Sequence, residues 1–285
     1  VNSESGFDRA AEDSGNIVHF EHVNLKQPDQ RLATIFYISG LGFTRDPYMK
    51  TGVENMWVNI GRNQIHLPTG DPQRLRGTIG LIVPDLNALR QRLARVEPLL
   101  AGTAFGFEDK EGAVAATCPW GNRFRIQAPS EEFGNIELGL PYVEFTVPKG
   151  IASGIAGFYR EIMGARVTAA DTASVRVGRN QFLRFREADD PVPPYDGHHI
   201  QIYISDFSGP YRRLAERNLI TREPDRYEWR FREIVDPSTK EALFTLEHEV
   251  RSLTHPLYGR PLVNRNPAQD NRNYLRGKDP FSGTF

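Results

Sequence analysis

His199, Gln201 and Tyr203 alternate with Ile200, Ile202 and Ile204 in the run 197–206, GHHIQIYISD. Successive side chains of a strand point to opposite faces, so the isoleucines make one apolar face and the other three residues make a polar one. The polar face is too polar for a core and reads as the wall of a site. An imidazole, an amide and a phenol there can bind, orient or protonate a ligand. A second alternating run, 17–25 (IVHFEHVNL), puts His22 and Asn24 on one face and Val23 and Leu25 on the other. In a third, 244–249 (FTLEHE), Thr245, Glu247 and Glu249 share a face. His198 and His248 point away from His199 and Glu247 and read as structural.

These residues need strands to carry them and helices to back them. The pattern predicts a first unit with a strand over 17–25, a helix over 30–39 stopped at Gly40, and strands near 56–60 and 64–67. A second unit has a strand over 78–83, a helix opened by Pro84-Asp85-Leu86, and strands near 105, 113–117 and 123–127. A third runs from a strand over 141–147 through a helix over 151–163 to strands near 165–168, 174–177 and 181–185. The fourth starts at the polar-faced strand. Its helix follows Asp206 as an acidic cap, and strands cover 229–235 and 242–250. Residues 1–16 read as a disordered leader, 17–130 as an N-terminal two-unit domain, 139–250 as a C-terminal two-unit domain, and 251–285 as an irregular tail. The tail segment His255–Arg260 reads either as a lid over the polar face or as simple surface packing.

The 285 residues hold 35 Lys and Arg against 36 Asp and Glu, a net charge of −1, with 39% hydrophobic and 25% charged residues. That balance carries neither a nucleic-acid nor an anionic-membrane footprint, and no run approaches the ~20 apolar residues of a membrane span. Cys118 is the sole cysteine, so no internal disulfide forms, and a cytoplasmic location fits. The units also repeat in sequence. Val58-Asn-Ile-Gly-Arg-Asn-Gln64 recurs as Val175-Arg-Val-Gly-Arg-Asn-Gln181, Phe36-Tyr37 as Phe158-Tyr159, and Pro84-Asp85-Leu86 as Ser205-Asp206-Phe207. A common offset of about 120 residues at three places argues duplication of a two-unit domain.

Four βαβββ units with the motifs FY…LGF (within 22–43), VPDLxALRxRL (83–93) and CPWGNRFRIQ (118–127) resemble the vicinal oxygen chelate superfamily, which includes glyoxalase I, antibiotic resistance proteins and extradiol dioxygenases. The four-unit length is most similar to the extradiol ring-cleaving dioxygenases. The resemblance covers nearly the whole chain to about residue 251. It implies an α+β fold in which the βαβββ modules form two tandem cup-shaped open β-barrels with helices outside. It also implies a divalent metal, Fe(II) first, with Mn, Ni or Zn as alternatives, held by first and last strands of the units.

Carried over position by position, the resemblance puts His199 and Tyr142 at the first-strand positions of the C-terminal half and Glu247 at the last strand. Glu249 is the register alternative, and Glu144 stands on the face of Tyr142. The N-terminal half offers His22 and Thr78, then His66 and Arg125. An arginine there repels a dication but suits an anionic substrate group. The expected ligand set is therefore His199, Glu247 and Tyr142, with Glu144, Glu249, His22 and His66 behind it. Tyr142, Gln201 and Tyr203 are the expected groups for orienting or protonating substrate. The implied activity is that of a metal-dependent, extradiol dioxygenase-like oxidoreductase acting on a small oxygen-bearing substrate. The alternative is a metal-free small-molecule binding or sequestering protein. The expected partner is a small-molecule substrate rather than nucleic acid or membrane, with homo-oligomer formation through the cups open.

Overall fold

The computed structural model describes residues 7–134, 136–267 and 269–278. The expected leader and tail therefore both extend past the described residues. Unit one comprises β1 (Ile17–Asn24), α1 (Gln30–Ala33), β2 (Thr44–Arg45), β3 (Asn55–Ile60) and β4 (Asn63–Pro68). Its helix widens into a π-helical turn over Thr34–Gly40. Unit two comprises β5 (Gly77–Ile82), α2 (Leu86–Val96), β6 (Gly106–Lys110), β7 (Ala113–Thr117) and β8 (Arg123–Gln127). Unit three comprises β9 (Gly139–Pro148), α3 (Ala152–Glu161), β10 (Val167–Ala169), β11 (Thr172–Gly178) and β12 (Gln181–Ala188). Unit four comprises β13 (His199–Ile204), α4 (Ser208–Ala215), β14 (Ile220–Asp225), β15 (Glu228–Val235) and β16 (Ala242–Ser252). β14 and the two-residue β2 are the strands the pattern does not predict: Ile220-Thr-Arg-Glu-Pro-Asp225 is nearly all exposed and lacks alternation, and two residues are too few to show a period.

Aspartates start three of the helices. Asp29 accepts from the Arg31 and Leu32 amides at 2.8 and 3.0 Å, Asp85 from Ala88 at 2.9 Å, and Asp206 from Gly209 at 2.9 Å. The helices bury one apolar face each, such as Leu89, Leu93 and Val96 of α2. Against them lie the apolar faces of the strands, with Ile200, Ile202 and Ile204 fully buried.

The strands form two eight-stranded sheets, curved into two cups that do not close, an α+β architecture with the helices outside. The first sheet runs β14-β15-β16-β13-β1-β4-β3-β2 and the second β10-β11-β12-β9-β5-β8-β7-β6. Unit four thus completes unit one, and unit three completes unit two. The expectation that neighbouring units curl together is corrected by these pairings. The first strand of every unit has one side open after its own hairpins are formed, and an open inner edge must find a partner. β1 takes β13 and β5 takes β9, both antiparallel.

The chain past β16 returns over the first cup. The Tyr258 ring sits 4.8 Å from that of Tyr203, and Arg260 Nη2 pairs with Asp46 at 2.7 Å. Asn264 closes the strap by accepting from the Gly61 amide at 2.9 Å and donating to its carbonyl at 2.8 Å. Before β1, Asp13 O accepts from Arg166 at 2.9 Å and Arg176 at 3.0 Å.

Candidate functional site

The junction of β1, β13 and β16 brings together residues from the two ends of the chain. β1 pairs His22 with Gln201 and Asn24 with His199, and β13 pairs His199 with Glu247 and Gln201 with Glu249. On the other side of β1, His22 lies beside Gln64 and Asn24 beside His66. Bulges in β1 between Ile17 and His19 and between Phe20 and His22 set this register. They let Phe20 and Val23, three apart, both reach the core while His22 faces the cup.

One ligand atom each from His22, His199 and Glu249 lies within 4.8 Å of the others, the sole such cation-holding group among the described residues. His199 Nε2 is 3.5 Å from Glu249 Oε2. His22 is wedged into a stack. Its ring is 3.7 Å from that of His66, which lies 3.9 Å from Trp57. Burial, opposed by Glu249, holds His22 neutral, well below the usual histidine range. Its Nδ1 is 3.4 Å from Glu21 Oε2, so the ring proton belongs on Nδ1 and Nε2 keeps its lone pair. That Nε2 is buried and without a hydrogen-bond partner. So are both side-chain atoms of Gln201, in the same row between His22 and Glu249. Buried polar atoms without a protein partner mark a place where a ligand can bind.

Solved structures resemble the chain over most of its length, among them the following two. Glyoxalase I from Zea mays superposes with TM-score 0.56 at 14% identity, covering 82% of this chain and 92% of that one. A "putative dioxygenase" from Bacillus subtilis superposes with TM-score 0.54 at 13% identity, covering 83% and 85%. No protein-family model matches the sequence, and no curated protein matches it. The chain has the vicinal oxygen chelate fold.

Within this vicinal oxygen chelate fold the two cups differ in chemistry. Tyr142 and Glu144 do not join His199, because β9 belongs to the second sheet. Tyr142 packs flat on Gly80, where a Cβ would come within 2.4 Å of its ring, and Arg184 stacks over it at 4.3 Å. Glu144 pairs with Arg186 at 2.8 Å, and Arg125, which stands where a carboxylate ligand would, pairs with Glu111 at 3.0 Å. The second cup is thus filled by its own side chains around Phe133, Ile136 and Phe182.

In the first cup the register favours Glu249 over Glu247. Glu247 is taken by Arg230 at 3.1 Å and Arg232 at 3.4 Å, and it lies outside the cluster. His66 Nε2 is turned to Gln64 Oε1 at 2.9 Å. Trp229, on the opposite face of β15 from Arg230, packs into the core with Phe207 and Phe231. Glu249 also meets Arg230 and Arg251, each at 2.5 Å. Burial alone would raise its pKa, but the bond to His199 and the charges of Arg251 and Arg230 outweigh it and hold it well below the usual range. Arg251 reaches on to Glu228 at 3.2 Å and Glu21 at 3.5 Å. Burial pushes both of those carboxyls upward. Tyr203 donates to Glu21 at 3.5 Å, and burial beside that carboxylate keeps its phenol protonated.

Glu21, Glu228 and Arg251 have no counterpart in the sequence reading. Strict alternation puts Glu21 on the core face with Val23. The signal against that was the apolar pair Phe20 and Val23 at odd spacing, which only a bulge can bury together.

Proposed function

We propose that the chain is a metal-dependent enzyme whose divalent cation is held by His22, His199 and Glu249, with the Gln201 amide oxygen beside them. The observation that carries this reading is the buried lone pair of His22 Nε2 in a cluster whose ligand atoms lie within 4.8 Å. Two imidazoles and one carboxylate are the donor set suited to a non-haem Fe(II) that keeps positions open for substrate and oxygen, with Mn, Ni or Zn as alternative occupants. Such a cation supplies Lewis-acid polarisation of two neighbouring substrate oxygens and, as iron, oxygen activation. An extradiol dioxygenase-like oxidation of a small oxygen-bearing substrate is the reaction best matched to that set.

The chain's own residues have distinct parts in this reading. Glu21 fixes the tautomer of His22, and the Trp57–His66 stack fixes its ring plane. Four carboxylates, Glu21, Glu228, Glu247 and Glu249, are paired with three arginines, the largely buried Arg230 and Arg251 and the more exposed Arg232, so the cup keeps negative charge for a cation to balance. Tyr203, protonated and near Glu21, is the group able to donate a proton to bound substrate, with Gln201 orienting it.

The same arginines favour the second reading, a metal-free small-molecule binder, because a dication must share Glu249 with both. Metal analysis decides between the two. Protein purified without chelator is expected to hold close to one equivalent of a divalent metal. His22→Ala, His199→Ala and Glu249→Ala should each lose it. Wild-type protein that cannot be loaded with Fe, Mn, Ni or Zn would leave the binder as the correct reading.

A further inference from the structure

The Gly-Arg-Asn triplet that the sequence carries twice, at 61–63 and 178–180, forms the β3–β4 and β11–β12 hairpin turns. One turn belongs to each sheet, yet Arg62 and Arg179 line the same cavity, with a volume of about 350 Å³. Its floor is His19 and Glu21, its far wall the returning tail with Tyr258 and Arg260, and its apolar lining includes Val18, Ile136, Leu138 and Leu262. Neither His22, His199 nor Glu249 touches it.

Both turns are held rigidly from behind. Asn63 donates to Phe20 O at 2.6 Å and accepts from the Leu140 amide at 2.9 Å. In the other copy Gln181 donates to the same Phe20 O at 3.0 Å and to Leu140 O at 3.3 Å. The two clips grip the same two backbone positions, one in β1 and one in β9. The duplicated motif therefore locks the cups together at the place where its two arginines meet.

The charge of the cavity is positive. Arg62, Arg179 and Arg260 face one carboxylate, Glu21, which Arg251 already engages. Arg260 turns one nitrogen to Asp46, while its Nε is buried without an acceptor. The buried Nε of Arg260 calls for an oxygen acceptor, and the planar guanidinium fork matches a carboxylate or a phosphate. The volume is at the low end of ligand pockets, and its apolar wall suits a compact hydrocarbon body.

We propose that this cavity binds a small organic anion, a carboxylate or phosphate ester on a compact apolar body, at a site separate from the His22–His199–Glu249 cluster. Calorimetric titration of the full chain, stripped with chelator and dialysed, tests it with benzoate in one arm and phenyl phosphate in the other. Saturable 1:1 binding of either probe is expected, and the arm that saturates identifies the head group. Arg62→Ala and Arg179→Ala should each weaken it about tenfold, roughly 1.4 kcal/mol, with unchanged thermal unfolding, since both side chains are exposed. Raising the salt should weaken it further. Binding of neither probe, or binding unchanged in either variant, overturns the proposal.

Discussion

Glu249 and Glu247 stand two apart on one face of β16, and their surroundings separate them. The Glu249 side chain is 3% exposed and contacts His199, Arg230 and Arg251; that of Glu247 is 19% exposed and contacts Arg230 and Arg232. Removing the charge of Glu249 leaves two arginines short of a partner in a buried network, a loss of roughly 3–5 kcal/mol. Glu247 lies nearer the rim, where ion pairs contribute about 0–1 kcal/mol. Glu249→Gln is therefore expected to lower the urea midpoint clearly and to abolish metal retention, while Glu247→Gln changes the midpoint little and keeps the metal. Metal lost in Glu247→Gln but kept in Glu249→Gln would place the carboxylate ligand in the other register. The sequence showed that a carboxylate on this face mattered. It did not show which, because the choice depends on how β16 registers with β13 and how β1 bulges, and neither is local to FTLEHE.

At the scale of elements, the contact between α3 and β16 rests on a histidine that faces the core. His248 Nδ1 donates to Leu246 O at 2.7 Å, and its Nε2 accepts from the Tyr159 hydroxyl at 2.6 Å, a pairing that requires the neutral ring. The ring stacks on Phe231 at 4.2 Å, and burial pushes its pKa down from 6.5 to about 3. The unfolded chain takes up this proton below 6.5, whereas the folded chain refuses it until about 3. His248 thus costs no stability above that window and up to about 1.4 kcal/mol per pH unit on descending through it. His248→Gln should be less stable at neutral pH yet lose stability less steeply between about pH 6 and 4. His22, His66 and His198 are also pushed down by burial, so the slope falls by one proton's share without vanishing. Urea midpoints measured across that range check it, and an unchanged slope would mean that His248 is protonated in the fold. The inward orientation of His248 was legible from alternation along the strand. Most strands and all four helices were legible the same way, since each has a clear apolar period. The exposed edge strand β14 has none.

The largest gap between sequence and structure is at the scale of the whole molecule. The repeat marks two halves, and it is silent on how they pair, because the first strands of all four units present similar open edges. That pairing decides the site. With unit four beside unit one, His22 meets His199 and Glu249; with neighbouring units paired, His22 would face Thr78 and Arg125 instead. The pairing can be tested by cutting the chain where the repeat suggests a boundary. The 17–130 half alone keeps β1 and β5 but loses β13 and β9, their antiparallel partners. Two inner edges with apolar faces would then be open at once, and such edges recruit further strands. The isolated half is expected to self-associate or aggregate on size-exclusion chromatography and to hold no metal. Coexpressed with residues 139–278, it should elute as a 1:1 complex, since every interface between β1 and β13 and between β5 and β9 joins one half to the other. Metal should return with the complex, because His22 comes from one half and His199 and Glu249 from the other. A stable, monomeric 17–130 fragment with a cooperative unfolding transition would show that neighbouring units can complete each other's sheets.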